Sequence, residues 1–338
     1  MKVNKYDVAI IGGGISGLTL AKFLAEEKVN FILLEEDGRF GIKPCGEGIT
    51  PSLGKYSFYE LYESRKGIER TYERMAVEIG GNKVFLRIPN IICNKHKVEG
   101  ELARQAVKKG AEIVKKSRVR KIERVGKHFL LLPQNIYCKI LVGADGVKSI
   151  TREYLGIKPP NFALAAAGIL KRKQKEDYYT IKIVPKITRL GYLWEFPKLN
   201  TINVGGGSIE VRSIQRILNF LKREYPHVDF KVHPIPMGKP TRSYGKSILL
   251  VGDAAGQVIP PFGDGILPSM ICSKIASEVI SKASRNNFRK IDFSIYEKRW
   301  REELGTYFKV GFILLKSLQL AIRSERTVSY THLTLPTN

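Results

Sequence analysis

Apolar residues fall along this chain in runs of three kinds, and each kind predicts a different element. Tyr6-Asp7-Val8-Ala9-Ile10-Ile11 is short and rich in β-branched residues, as a strand buried on both faces must be. After Gly12-Gly13-Gly14-Ile15-Ser16-Gly17, the residues Leu18, Leu20, Ala21, Phe23 and Leu24 lay out an apolar face at helical spacing. Phe31-Ile32-Leu33-Leu34 is a second buried strand and closes on Glu35 and Glu36. Further on, alternation takes over. Residues 75–92 read as a β-hairpin whose strands, 76–79 and 83–88, join at Gly80-Gly81-Asn82. A helix is predicted over 98–109, ended by Gly110, with short strands after it near 112–114, 119–124, 129–132 and 139–142. Antiparallel strands are predicted at 163–170, 178–184, 191–196 and 201–205, with a helix over 211–225. Residues 248–251 return to the buried-strand type, a helix follows from Ile266 to Ser281, and a last helix covers 304–322.

This order predicts an α/β protein. A Rossmann-type dinucleotide domain is assembled from 1–74, 93–160 and 240–285, and an antiparallel β-sheet substrate domain from 75–92 and 161–239. A C-terminal helical region takes 286–327. Residues 328–338 carry no periodic pattern and resemble a translated sequencing adapter, so the expectation is a natural chain interrupted near Thr327.

The chemistry sits where the buried strands end. Gly12, Gly14 and Gly17 fit G-x-G-x-x-G between a strand and a helix, with an acid closing the next strand. In that context the first glycine makes the turn, the second admits a pyrophosphate, and the third lets helix and strand pack closely. The helix N-terminus, at Ile15 and Ser16, offers free N–H groups to the phosphates, and Glu35 can take a ribose diol. A second turn, Gly143-Ala144-Asp145-Gly146, leads to Ser149 and Arg152. A third, Gly252-Asp253-Ala254-Ala255-Gly256, leads to Gly263-Asp264-Gly265-Ile266, whose acid Asp253 can bind a ribityl hydroxyl. Between them, Tyr192, Trp194 and Phe196 alternate along one strand and so share a face.

Composition narrows the partners. The 338 residues are 43% apolar and carry 57 Lys+Arg against 32 Asp+Glu, a net charge of +25. The basic residues are dispersed and no nucleic-acid motif accompanies them, which leaves a lysine-rich surface, an anionic substrate or anionic lipid headgroups. Cys45, Cys93, Cys138 and Cys272 are too scattered for a local zinc or iron–sulfur site and suit a reducing cytosol. Neither a signal peptide nor a transmembrane run is expected, so the predicted location is cytoplasmic, with peripheral contact at the inner face of the membrane.

The three glycine–acid motifs, in this order, resemble the FAD-dependent monooxygenase superfamily with a para-hydroxybenzoate-hydroxylase-like fold. Lys43-Pro44-Cys45-Gly46-Glu47-Gly48-Ile49, Tyr192-x-Trp194-x-Phe196-Pro197 and Asn203-Val204-Gly205-Gly206-Gly207 are similar to signatures of the geranylgeranyl reductase family, archaeal lipid-reductase branch. Arg189, Lys95 and Asp264 stand where that family often has Pro or Gly, Arg, and Gly.

The resemblance implies FAD as cofactor. It is held by Gly12, Gly14, Ile15, Ser16, Gly17, Glu35, Glu36, Cys45, Gly46, Arg104, Val119, Asp145, Gly146, Gly252, Asp253, Gly263, Gly265 and Ile266. It implies hydride delivery from flavin N5 to isolated C=C bonds of a prenyl-lipid substrate lying against Tyr192, Trp194 and Phe196. Cys45 would be a catalytic redox or proton-handling thiol, with Cys272 as its candidate partner. No second G-x-G-x-x-G is present, so electrons are expected from ferredoxin or from NAD(P)H bound transiently. The rivals are an aromatic hydroxylase, a halogenase, whose signature is W-x-W-x-I-P, and a non-catalytic lipid- or flavin-binding protein. A quinone-linked flavoprotein dehydrogenase would need an iron–sulfur cluster that four scattered cysteines do not provide.

Overall fold

The computed structural model describes residues 4–173, 176–289 and 291–332, with side chains as far as residue 320. Asn4–Ile11 lies at the middle of an eight-stranded sheet, parallel to Phe31–Leu34 on one side and to Ile136–Gly143 on the other. Glu112–Val114 extends the first side, and Ile248–Leu250 adds in parallel beyond Ile136–Gly143. His128–Leu132 and Lys121–Val125 form an antiparallel branch, and Tyr244–Gly245, antiparallel to Ile248–Leu250, is the eighth strand. The register decides where the chemistry emerges. Ile11 pairs with both Leu34 and Gly143, and Gly143 with Leu250, so four strands end on one line. Gly12, Glu35, Asp145 and Asp253 therefore all leave the sheet at its carboxyl edge, where open α/β sheets bind their ligands.

The apolar face of the Ile15–Glu26 helix packs on Ile266–Arg285 and Lys95–Lys108, and together they bury Leu18, Leu24, Leu102, Met270 and Ile275 in the largest core cluster. Two helices begin earlier than periodicity predicts. Lys95–Lys108 starts at Asn94, whose side chain accepts the Lys97 N–H at 3.2 Å, a cap hidden among lysines. The last helix is Ser294–His332. Its buried stripe of Tyr296, Trp300, Leu304 and Phe308 runs through a highly charged stretch that masked it in the sequence. Of the segment set apart at 328–338, residues 333–338 lie outside the described residues.

A second, seven-stranded sheet runs in the order Lys231–Pro236, Phe162–Leu170, Ile202–Ser208, Gly191–Pro197, Tyr178–Ile183, Arg74–Ile79 and Asn82–Leu86. The hairpin turns on Gly80-Gly81 alone: Ile79 pairs with Asn82, and both glycines have positive φ. Asn90–Cys93 leaves this sheet and joins Gly48–Ile49 and Ile68–Tyr72 in a small sheet that anchors the cysteine loop. Among the described residues no helix is long and apolar enough to cross a membrane.

Candidate active site

A cavity of about 800 Å³ lies between the carboxyl edge of the first sheet and the aromatic face of the second. The glycine turn builds one end. Gly12 has φ +104, a conformation that a side chain disfavours, and a methyl group on Gly17 would collide with the Gly12 carbonyl. Gly14, in contrast, faces open space, with nothing within 4 Å of where its Cβ would lie. Glu35 braces the turn: one carboxylate oxygen accepts the Gly13 N–H at 2.5 Å and the other the Asp37 N–H at 2.7 Å. Burial pushes its pKa up, against the pull of those two bonds. Glu36 borders the same end and pairs with Arg118 at 3.3 Å.

The second turn repeats this logic. Ser149 caps the short Ile150–Tyr154 helix by accepting the Arg152 N–H at 2.9 Å. One oxygen of Asp145 takes the Thr151 N–H and hydroxyl at 3.1 and 3.0 Å, while the other, Oδ1, is buried with no partner. Gly146 faces open space. Arg152 joins the motifs, donating to the Val147 carbonyl at 2.6 Å and to Ala254 at 3.1 Å. In the third motif, Gly252 lies against Ser16, Asp253 forms an ion pair with Lys43, and Gly265 caps the Ile266–Arg285 helix.

The residues present fit a dinucleotide. An open cradle over Gly14 and Gly146, the N-terminus of a long helix, and an orphaned buried Asp145 oxygen are what a pyrophosphate and its sugars would complete. Gly12, Gly14, Ile15, Ser16, Glu35, Glu36, Cys45, Gly46, Val119, Asp145, Gly146, Asp253, Gly263, Gly265 and Ile266 all line the cavity. Gly17 and Gly252 stand behind it as packing positions. Arg104 does not line the cavity. Its guanidinium is exposed and paired with Glu101 at 2.8 Å. Lys95 and Glu99 face the cavity, and at about 100° per residue Arg104 lies about 140° round the helix from Glu99.

The opposite wall is aromatic. Tyr192, Trp194 and Phe196 line the cavity with successive ring centroids 6.1 and 6.2 Å apart, and Tyr179 meets Phe196 edge-on at 5.5 Å. Trp194 lies flat on the neighbouring strand because Gly205 has no side chain for it to strike. Asn203 fixes it, accepting the indole N–H at 2.9 Å while donating to the Cys45 carbonyl at 2.9 Å and to Glu47 at 2.8 Å. Glu47 also takes the Lys95 N–H at 2.8 Å and the ammonium of Lys198. The cysteine loop is thus tied to the aromatic strand.

Cys45 is half-buried, its sulfur accepting the Glu47 N–H at 3.3 Å, and burial pushes its pKa up. Cys272 is fully buried within the Ile266–Arg285 helix and does not reach the cavity, so the pairing with Cys45 is not made. Sequence reasoning missed Asn203, Glu47 and Lys43 as site residues. All three stood inside or beside the signatures, but the bonds that join Asn203 to Cys45 and Glu47, Glu47 to Lys198, and Lys43 to Asp253 each span more than a hundred residues.

Comparisons with known proteins agree with this geometry. Residues 5–175 match the FAD binding domain family. The digeranylgeranylglycerophospholipid reductase of Methanocaldococcus jannaschii is 28% identical over 335 residues, covering 89% of this chain and 84% of the relative. Digeranylgeranylglycerophospholipid reductase 2 of Methanothermobacter thermautotrophicus is 30% identical over 334 residues, with the same coverages. Among solved structures, a geranylgeranyl bacteriochlorophyll reductase-like protein from Thermoplasma acidophilum superposes with a TM-score of 0.80 at 21% identity, covering 93% of this chain and 88% of that one. The myxobacterial halogenase CndH follows the same fold, at 0.70 and 15%. With a dinucleotide cradle facing an aromatic wall, and with relatives matched over most of their length, the chain is an FAD-dependent oxidoreductase that belongs to the geranylgeranyl reductase family.

Proposed function

We propose that this chain saturates isolated C=C bonds in geranylgeranyl chains of a membrane lipid or its prenyl precursor. The observation that carries this reading is the wall of Tyr192, Trp194 and Phe196 set across one cavity from the FAD motifs. An isolated alkene has no group to hydrogen-bond, so only a shaped apolar slot can hold it in register. The relatives' name, digeranylgeranylglycerophospholipid reductase, designates a substrate of that kind.

Bound and reduced, FAD supplies a hydride. The chain's own residues do the rest. Gly14, Ile15, Ser16 and Gly146 would receive the FAD pyrophosphate, Glu35 and Glu36 its adenosine ribose, and Asp145 and Asp253 its remaining hydroxyls, while the backbone of Gly263, Gly265 and Ile266 would hold the flavin. Tyr192, Trp194 and Phe196 exclude water and orient the chain. Cys45 borders the same space as a thiol that holds its proton at neutral pH, since burial raises its pKa.

Electrons come from ferredoxin or NAD(P)H, and the net charge of +25 suits an acidic ferredoxin. Peripheral contact with anionic lipid uses the last helix, where Val310, Ile313, Leu314 and Leu318 are exposed beside Lys309 and Lys316. Tyr307 of that helix also lines the cavity.

The test is anaerobic. Dithionite-reduced holoenzyme mixed with a geranylgeranyl glycerophospholipid should reoxidise its flavin as the lipid gains hydrogen pairs by mass. Flavin that stays reduced until oxygen enters, with lipid mass unchanged, would transfer the assignment to a hydroxylase.

A further inference from the structure

Between the cofactor motifs and the aromatic wall, one carboxyl group lines the cavity and makes no salt bridge among the described residues. Asp264 sits between Gly263 and Gly265, and its carbonyl accepts the Ile259 N–H at 2.8 Å, which fixes the turn. Its Oδ1 is buried without a partner. Thr50 beside it favours its charged form, against the effect of burial. Tyr192 of the second sheet lies close enough to feel its charge, and the same cavity is lined by Cys45, Lys43, Lys95, His233 and Tyr307. Behind Gly265 stands Asp253, already paired with Lys43. The Tyr192 phenol donates to the Phe262 carbonyl at 2.5 Å, so the wall's first aromatic is tied to the residue two places before Asp264.

We propose, resting on the prenyl reductase reading above, that Asp264 is the acid that protonates the double bond. The reaction adds two hydrogens. One alkene carbon takes the hydride and the other takes the carboxyl proton of Asp264, so the π bond is replaced by two C–H bonds. The carboxylate left behind regains a proton from water at the cavity mouth, where Phe262 is exposed.

Burial pushes the Asp264 pKa up to about 6, which keeps a useful share of the acid form near neutral pH. Cys45 is the alternative donor, but its thiol is pushed above an ordinary value that is already higher. A donor whose pKa lies close to the working pH is the more effective.

The experiment compares wild type, Asp264→Asn, Asp264→Glu and Cys45→Ala as holoenzymes. Each is reduced with dithionite and mixed anaerobically with geranylgeranyl glycerophospholipid in a single turnover, from about pH 5 to about pH 8, a span that brackets the acid's pKa. The wild-type rate should fall about tenfold per pH unit above the Asp264 pKa of about 6. Asp264→Asn should lose about 10²-fold or more, and that slope with it, and Asp264→Glu should recover part of both. FAD content and reduction by dithionite should stay as in wild type. Infrared spectroscopy adds a readout independent of turnover: a protonated carboxyl band that titrates in wild type and is missing in Asp264→Asn.

Asp264→Asn at the wild-type rate overturns the assignment, as does an infrared spectrum without the band. Loss of the pH slope in Cys45→Ala instead transfers the role to the thiol. Wild-type protein that saturates no prenyl chain brings down the reductase reading and this assignment together, an outcome distinct from failure of the assignment alone.

Discussion

Asn203 is where the two halves of the site meet at the scale of a residue. It is buried, its amide oxygen accepts from Trp194, and its amide nitrogen donates to the Cys45 carbonyl and to Glu47. Alanine there would leave an indole N–H and a carboxylate oxygen short of partners inside the protein. The expected cost is about 2 kcal/mol, read from the denaturant midpoint of the holoenzyme. The intrinsic tryptophan emission should also change, because the indole loses its acceptor. An unchanged midpoint would mean that Asn203 does not brace the cysteine loop. Nothing in the local pattern marks this role. Asn203 reads as one polar residue shortly before three glycines, and two of its three partners, Cys45 and Glu47, come from a chain segment that only the fold brings near.

Among the elements, the glycine-turn helix separates packing from binding. Gly14 and Gly17 belong to one motif, yet a methyl group at Gly14 meets open space and one at Gly17 meets the Gly12 carbonyl. Gly17→Ala should therefore destabilise the protein by about 1–3 kcal/mol, seen as a lower melting temperature with or without cofactor. Gly14→Ala should leave the cofactor-free melting temperature nearly unchanged. Its FAD affinity should fall about tenfold, or about 1.4 kcal/mol, measured by titrating the stripped protein. Equal losses of stability from both would deny that the space over Gly14 belongs to a ligand. This division of labour is partly legible in the sequence, since strand, glycines, helix and acid follow one another within a short span. The start of the Lys95–Lys108 helix and the upstream half of Ser294–His332 were harder to find. Lysines and glutamates obscure the apolar stripe there, and caps act through single hydrogen bonds that leave little trace in periodicity.

For the whole molecule, the excess of positive charge and the exposed apolar residues of the last helix act together. Binding to anionic vesicles should be clear at low ionic strength and weaken steeply as salt shortens the Debye length from about 10 Å at 0.1 M. Replacing Val310, Ile313 and Leu314 with serine should reduce what binding remains at high salt, measured by vesicle co-sedimentation. Salt-independent binding, or none to anionic vesicles at low salt, would remove membrane contact from the proposal.

By itself the sequence determined the α/β class, the three FAD motifs, the pairing of a nucleotide sheet with an aromatic sheet, and the family. These rest on short-range information: runs of β-branched residues, alternation, and glycines at fixed offsets. Only the tertiary structure decided which motif residues face the ligand space. It turned Arg104 outward, buried Cys272 away from Cys45, and set Gly17 and Gly252 behind the cavity. It also gave Asp264, in sequence a mere substitution for glycine, a desolvated place beside Tyr192. Helix phase and strand register carry a side chain to one face or the other, and burial sets its charge. Both depend on contacts between residues far apart in the chain, which no local pattern records.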